Sequence, residues 1–178
     1  MHKVYKLQIS KEDMEDELVR YGILGCANIA RKMSRAILMT PGSCLYAIGS
    51  RSLEKARNFA KENNFPPEAR VYGSYQSVID DEFIDAVYVP LPTSLHMEWV
   101  MKAIEKKKHV LLEKPPALSV EDLDIMISAC EKQGLQIMDC TMFMHHPRTA
   151  RMKEVLKNKD LVGEILEVIP LYLMTTQA

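Results

Sequence analysis

The sequence has no closely spaced cysteines, and this absence excludes two kinds of site. Its four cysteines stand apart and include no C-x-x-C pair; they are Cys26, Cys44, Cys130 and Cys140. Disulfide frameworks and zinc sites usually depend on closely spaced cysteines. We therefore expect no metal site, and we interpret the four side chains as reduced thiols in the core of a cytoplasmic protein.

The sequence also lacks an excess of charge and a long apolar run. Its 23 basic residues nearly balance its 24 acidic residues, which leaves a formal net charge of −1. Such a balance creates no strong electrostatic field, so we do not expect nucleic acid as a partner. No apolar segment is long enough to span a bilayer, so we do not expect a membrane partner either.

The first residues lack the features of a targeting peptide. Residues 1–17 combine lysines with an acidic run. They have neither the apolar stretch of a signal peptide nor the acid-poor composition of a transit peptide. We interpret residues 1–18 as a tail, and the remaining chain is long enough for one buried domain and part of a second.

From Val19 onward, short apolar runs alternate with longer stretches of helical period. This alternation is typical of successive β-α units on a parallel sheet. We predict an α/β fold with a doubly wound parallel sheet over residues 19–141. The predicted strands are Val19–Leu24, Cys44–Ser50, Arg70–Tyr72, Ala86–Pro90, His109–Glu113 and Gln136–Thr141.

Several residues predict where the helices of this fold begin and end. Ser52, Ser74 and Ser119 are each placed to cap a helix by accepting from its first N–H groups. The lysine run 106–108 suits the negative end of the fourth helix, and Gly134 suits a left-handed stop after the fifth.

The pattern changes after Thr141. Pro147 predicts the first position of another helix, which extends to about Asn158. Gly163 then precedes the apolar run Ile165–Met174, which we predict to be a strand. Pro170 lies inside this run and lacks an N–H group, so the strand is expected at a sheet edge or with a bulge.

The turn after the first predicted strand has small residues where a dinucleotide would approach. It reads Gly25-Cys26-Ala27-Asn28-Ile29-Ala30. Glycine permits the tight turn, the first alanine permits close approach to a pyrophosphate, and the second permits helix-strand packing. A helix beginning near Asn28 would offer its N–H groups to the phosphates. An ordinary β-α turn explains this pattern equally well when it is considered alone.

The second predicted strand ends in Ser50-Arg51. An NAD-preferring site usually has an acidic residue at this place, whereas a 2′-phosphate requires a cation and hydroxyl donors. Arg51 is suited to a forked pair with phosphate, and Ser50 to donating a hydrogen bond. We therefore expect NADP as the cofactor; the alternative is that Arg51 is a solvated surface side chain and Ser50 a helix cap.

Three further motifs follow at the later strand ends. They are Pro92-Thr93 with His96, Lys108-His109-Val110, and Glu113-Lys114-Pro115. With the Gly25 turn and Ser50-Arg51, the run Tyr21–Thr141 resembles the N-terminal NAD(P)-binding Rossmann domain of the Gfo/Idh/MocA oxidoreductases, in a branch similar to dihydrodiol dehydrogenase. The resemblance covers about two thirds of the chain.

The resemblance implies roles for particular residues. Lys114 would face the nicotinamide and the substrate as the catalytic residue, with Pro115 restricting its backbone. Thr93 and His96 would lie beside the cofactor. The implied cofactor-binding residues are Gly25, Ala27, Asn28, Ile29, Ser50, Arg51, Pro92, Thr93, His96, Glu113 and Lys114.

The resemblance also implies a function for the chain. It predicts an NADP-preferring oxidoreductase that transfers hydride to or from a sugar, polyol or related small carbonyl or diol substrate. Residues 142–178 would be the incomplete start of a C-terminal substrate domain, whose absence would impair catalysis and which could mediate homo-oligomers when complete. The alternatives are a non-catalytic NADP-binding module, a truncated isoform and an unstable product.

One segment departs from the family pattern. Met144-His145-His146-Pro147 stands where relatives tend to carry arginine and aromatic residues, so the identity of the substrate is not carried over from them. We interpret the two histidines as one surface and one packed imidazole rather than as a metal pair. Asp139 is either a polar residue of the cleft or an acid that precedes a helix.

Overall fold

The fold is a doubly wound α/β sheet with a short helical unit after it. A computed structural model describes residues 18–164. The chain divides into two compact units between Cys140 and Thr141, and each is described by itself. The predicted tail lies largely outside the described residues, as does the predicted strand Ile165–Met174.

The first unit contains a parallel sheet of six strands, which confirms the predicted fold class. The strands are β1 Val19–Leu24, β2 Ser43–Gly49, β3 Arg70–Tyr72, β4 Ala86–Val89, β5 His109–Leu112 and β6 Ile137–Asp139. Their spatial order is β3-β2-β1-β4-β5-β6. The order therefore reverses between β1 and β4, where a crevice opens at the carboxyl ends of the strands.

Five α-helices and one short 3-10 helix connect these strands. They are α1 Asn28–Met39, α2 Leu53–Glu62, α3 Tyr75–Asp80, the 3-10 helix Thr93–Leu95, α4 His96–Glu105 and α5 Val120–Gln133. Ser52, Ser74 and Ser119 cap α2, α3 and α5 by accepting from backbone N–H groups, as predicted. Gly134 ends α5 with a left-handed φ of 67°, which also confirms the prediction.

Apolar side chains fill both faces of the sheet. One core cluster combines strand residues with helices α3, α4 and α5, and its members include Leu24, Val87, Val89, Val100 and Met126. The second combines strand residues with α1 and α2, and its members include Ile23, Ile48, Phe59, Tyr88 and Cys140. Successive strand residues thus alternate between the two clusters, because side chains along a strand point to opposite faces.

The cysteine interpretation is correct for two of the four thiols. Cys130 and Cys140 are buried, whereas Cys26 and Cys44 are only partly buried; all four are free thiols. Burial raises the pKa of each of these thiols, so they remain protonated near neutral pH.

Arg20 and Asp85 connect the starts of β1 and β4. The Arg20 guanidinium donates to both carboxylate oxygens of Asp85, through Nε at 2.8 Å and Nη2 at 2.7 Å. The Arg20 backbone N–H donates to the same carboxylate at 2.8 Å. Hydrogen bonding from Arg20 lowers the pKa of Asp85, so the ion pair contributes stability near neutral pH.

The prediction that lysines 106–108 lie at the end of α4 is only partly correct. Lys106 follows α4 and its N–H donates to helix carbonyls, as expected for a helix end. Lys108, however, is 3% exposed, and its ammonium donates to the carbonyl oxygens of Asp81 at 2.7 Å and Ile84 at 2.8 Å. The Lys108 side chain therefore stabilises the turn before β4, while its backbone N–H closes α4 by donating to the Ala103 carbonyl at 3.0 Å.

The second unit is described as three short helices. They are α6 Met142–His145, α7 Pro147–Lys157 and α8 Lys159–Val162. Pro147 occupies the start of α7, and the helix ends one residue before the predicted Asn158, so this prediction is confirmed. Within residues 18–164, no helix combines the length and apolar character needed to cross a membrane.

We predict that Asp85→Asn destabilises the protein most strongly near neutral pH. The contribution of Asp85 is complete above its unfolded pKa of 3.8 and disappears as the pH falls through its lower folded pKa. Because the pair is partly solvated, we expect a loss of about 1 kcal/mol at pH 7. Urea unfolding at several pH values measures this loss, with the exposed Asp124→Asn as control. An equal loss at pH 7 and at pH 3 would contradict this role.

We also predict that Lys108→Met destabilises the protein more than Lys106→Met does. The Lys108 substitution removes the ammonium donor of two buried carbonyl oxygens, of which that of Asp81 keeps the Ile84 N–H at 3.3 Å. Lys106 is exposed and pairs with Asp80 at the surface. The expected loss for Lys108→Met is about 2–3 kcal/mol, against less than about 1 kcal/mol for the control. Equal shifts of the urea midpoint in the two variants would show that the buried contacts add nothing.

Candidate functional site

The candidate site is a cleft at the carboxyl ends of β1, β2 and β4, where the strand order reverses. The cleft has a volume of about 310 Å³. Predicted site residues that line it are Gly25, Ala27, Ser50, Arg51 and Pro92. The structure therefore brings together residues from three separate turns, because parallel strands end at the same edge of the sheet.

The turn after β1 has the geometry of a phosphate cradle. Gly25 has a φ of +101°, and its N–H donates to the carbonyl of Gly49 at 2.7 Å. A Cβ atom at Gly25 would lie 3.1 Å from a methyl of Leu91, so a side chain would be strained here and would crowd the cleft. The residues present thus fit a dinucleotide that approaches the backbone closely.

Helix α1 begins directly after this turn. Its N-cap is Ala27, which provides no side-chain hydrogen bond to the first turn. Asn28 and Ile29 occupy that first turn, so their N–H groups are not satisfied by a capping side chain. The positive end of the helix dipole and these N–H groups together suit an anionic ligand.

The turn after β2 presents two cations to the same cleft. Arg51 and Lys55 both line it and both are exposed. In the part of the chain that the structure describes, no acidic side chain pairs with either cation. Both side chains are therefore available to an external anion.

Ser50 and Ser52 flank Arg51 and differ in their environment. Ser50 is 5% exposed, and its N–H donates to the carbonyl of Tyr72 at 3.1 Å. Ser52 uses its hydroxyl to accept from the Lys55 N–H at 3.3 Å, as the cap of α2. The structure thus fixes the backbone on both sides of Arg51 while its guanidinium stays free.

Sequence reasoning did not assign six of the residues that line this cleft, which are Cys26, Ser52, Lys55, Tyr75, Pro90 and Leu91. The Cys26 thiol donates to the Lys55 carbonyl at 3.7 Å, which links the turn after β1 to the first turn of α2. Lys55 lies in the first turn of α2, after a capping serine that the sequence did identify. A search for cations in the first turn after Ser50-Arg51 would have found it, but Tyr75 gives no such signal.

The segment after β4 positions Pro92, Thr93 and His96. Pro92 is exposed in the cleft, and Thr93 begins the 3-10 helix and is partly buried. His96 is 1% exposed, with Nε2 2.8 Å from the carbonyl oxygen of Leu91 and Nδ1 3.0 Å from that of Pro116. Both ring nitrogens thus lie against protein carbonyl oxygens, and the expected place of His96 beside a cofactor stays a prediction.

The segment after β5 contains Glu113 and Lys114. Glu113 is 8% exposed; its Oε1 accepts from the Tyr88 hydroxyl at 2.7 Å and its Oε2 from the Lys114 N–H at 3.2 Å. The Glu113 carboxylate is therefore engaged inside the protein, and its expected place at the cofactor stays a prediction. Lys114 has an exposed side chain, and the peptide bond from Lys114 to Pro115 is cis.

The remaining polar candidates do not form a metal centre. His145 and His146 are both exposed, and His146 accepts from the Arg148 N–H through Nδ1 at 3.1 Å as the cap of α7. The interpretation of one packed imidazole is therefore wrong. Asp139 lines a separate cavity of about 250 Å³ with Leu112 and Pro116. Among residues 18–164, no group of three or more metal-ligating side chains was found.

Several curated proteins are similar to this chain. An uncharacterized oxidoreductase of Rhizobium meliloti is 40% identical over 150 residues, which are 84% of this chain and 44% of that protein. A dTDP-3,4-didehydro-2,6-dideoxy-alpha-D-glucose 3-reductase of Actinomadura kijaniata is 35% identical over 83% of this chain and 43% of its own length. A D-xylose 1-dehydrogenase (NADP(+)) of Haloferax volcanii is 34% identical over 83% of this chain and 44% of its own length.

The solved structures give the same result for the fold. A 3-ketoreductase from Actinomadura kijaniata in complex with NADP superposes with a TM-score of 0.74 at 32% identity, over 79% of this chain and 44% of that one. The chain thus spans less than half the length of the relatives it matches. Residues 19–140 match the model of the oxidoreductase family with an NAD-binding Rossmann fold, and the chain belongs to this Gfo/Idh/MocA family.

Proposed function

We propose that the cleft binds NADP(H), with the β1-α1 turn at the pyrophosphate and the β2-α2 turn at the 2′-phosphate. Gly25, Ala27 and the first N–H groups of α1 would hold the pyrophosphate. Ser50, Arg51 and Lys55 would hold the 2′-phosphate. The support from relatives is that one solved structure contains NADP and one dehydrogenase carries NADP(+) in its name.

The observation that carries this proposal is the charge of the cleft. Arg51 and Lys55 are exposed there without an acidic partner, and no aspartate or glutamate lies among the cleft residues in the described part of the chain. An acid at the end of the second strand would favour the ribose hydroxyls of NAD and repel a 2′-phosphate. Two free cations instead favour the phosphate, and the planar arginine fork suits its oxygens.

We further propose that the family's oxidoreductase activity extends to this protein, with Lys114 as the catalytic residue. When bound, the nicotinamide supplies the hydride chemistry. Lys114 would donate a hydrogen bond to the substrate oxygen and exchange a proton with it as charge develops there. Its exposed ammonium has no acidic partner among residues 18–164, so it is available for this task.

The substrate class follows only from the relatives. Two of them are named as enzymes of sugar derivatives, a dTDP-sugar 3-reductase and a D-xylose dehydrogenase. We therefore propose a sugar or a related carbonyl or alcohol as substrate. In this proposal residues 19–141 form the cofactor-binding domain and residues 142–178 begin a substrate domain.

We predict that Arg51→Ala and Lys55→Ala each weaken NADPH binding by about ten-fold while changing NADH binding less than about two-fold. Each substitution removes one charge-assisted contact with the 2′-phosphate, which is worth about 1.4 kcal/mol. Calorimetric titration with both cofactors measures the effect. Arg57→Ala, an exposed substitution elsewhere on α2, is the matched control. Equal weakening of NADPH and NADH would contradict a 2′-phosphate site.

We predict that Lys114→Met lowers kcat at least about 100-fold and changes the affinity for NADPH only a few-fold. The substitution removes the proton donor but leaves both phosphate turns intact. Turnover is measured with NADPH and a panel of keto sugars, and Lys132→Met on the surface of α5 is the control. If the unchanged chain binds NADPH but turns over no substrate, the result supports a non-catalytic binding module instead.

A further inference from the structure

Two buried side chains contact the segment Glu113–Pro116, one from β4 and one from the start of α4. The first is Tyr88 in β4, which is completely buried. Its hydroxyl donates to Glu113 Oε1 at 2.7 Å. Burial and the neighbouring carboxylate raise the pKa of Tyr88, so the hydroxyl remains a neutral donor at all ordinary pH values.

The Glu113 carboxylate also contacts the backbone of Lys114. Its second oxygen, Oε2, accepts from the Lys114 N–H at 3.2 Å. The Cys140 thiol is a further neighbour; burial, with Glu113 as the next cause, raises its pKa to about 12, so it is also protonated. A nearly buried carboxylate surrounded by hydrogen-bond donors has a defined orientation, because turning it would leave charged oxygens unsatisfied.

His96 holds the other end of the same segment. Its ring lies between the carbonyl oxygens of Leu91 and Pro116, at 2.8 Å and 3.0 Å, and is 1% exposed. A neutral ring donates to one of these oxygens, and a doubly protonated ring donates to both. In either form the buried ring lies between the segment after β4 and the segment after β5, and it hydrogen-bonds both of them only when it is doubly protonated.

The Lys114 side chain has no such contact of its own. It is exposed, and within residues 18–164 no hydrogen bond or ion pair fixes its ammonium. We propose that Tyr88 and His96 are positioning residues for Lys114, which hold its backbone from both sides through Glu113 and Pro116. The inference rests on the proposed function only where it calls Lys114 catalytic; the positioning itself is a property of the chain.

The chain provides a matched control for the loss of the Tyr88 hydroxyl. Tyr72 lies in β3 at the edge of the sheet, and its hydroxyl donates to Asp81 Oδ2 at 2.8 Å. Tyr88→Phe and Tyr72→Phe therefore each remove one tyrosine-carboxylate hydrogen bond. Only the carboxylate bonded to Tyr88 also accepts from the Lys114 N–H.

The first test uses amide hydrogen exchange, measured by NMR on the chain without cofactor. We expect Tyr88→Phe to increase the exchange rate of the Lys114 amide by about ten-fold, because the Glu113 carboxylate loses its orientation. His96→Gln is expected to act in the same direction through Pro116. The amide of Ile23 in β1 reports global opening and should change less in both variants. The proposal is overturned if the Lys114 amide is unaffected, or if Tyr72→Phe accelerates it equally.

The second test is a double-mutant cycle on turnover. If Tyr88 acts through Lys114, Tyr88→Phe lowers kcat with little change in KM for NADPH, and it has no further effect in the Lys114→Met background. An equal loss in both backgrounds would assign Tyr88 a merely structural role. Failure of the unchanged chain to turn over substrate would reject the proposed catalysis, and the Lys114 exchange rate would still decide the positioning.

Discussion

The site depends on how closely β1 and β2 pack against α3. A Cβ atom at Gly22 would lie 2.6 Å from Val78, and one at Gly49 would lie 2.5 Å from both Val78 and the Ser74 carbonyl. Any side chain at these positions would therefore displace α3 or the strands. With glycine at both positions, the strands can pack at this distance. The Gly49 carbonyl then accepts from the Gly25 N–H, and Ser50 is buried directly after it. This packing sets the distance between the turn after β1 and the turn after β2.

The sequence predicted the fold well because most of its signals are local. The strands are short apolar runs, and the three capping serines accept from N–H groups only a few residues away. The prediction was wrong only for the Lys108 side chain, because its acceptors, Asp81 and Ile84, are distant in sequence. From the sequence alone, every lysine next to a helix end is assigned to that end. Only the packed structure shows which lysine side chain is buried.

The residues of the cleft could be predicted where they directly follow a strand. Gly25, Ser50 and Arg51 directly follow their strands, so the topology alone brings them to one cleft. Glu113 and His96 were placed at the cofactor by resemblance, and the sequence does not show which way their side chains point. Their contacts cross between β4 and β5 segments, so neither the partner Tyr88 nor the bridge to Pro116 could be recognised beforehand.

The order of the Glu-Lys-Pro motif has a geometric reason. Side chains alternate along β5, so Leu111 and Leu112 point to opposite faces of the sheet. Glu113 follows the strand and reaches Tyr88 on the face of Leu111. The structure directs Glu113 toward buried Tyr88, while Lys114 remains exposed. In the reverse order, an ammonium would meet the Tyr88 hydroxyl inside the protein and the carboxylate would be the exposed group. The order of the motif therefore pairs the carboxylate with a buried donor and leaves the ammonium at the surface.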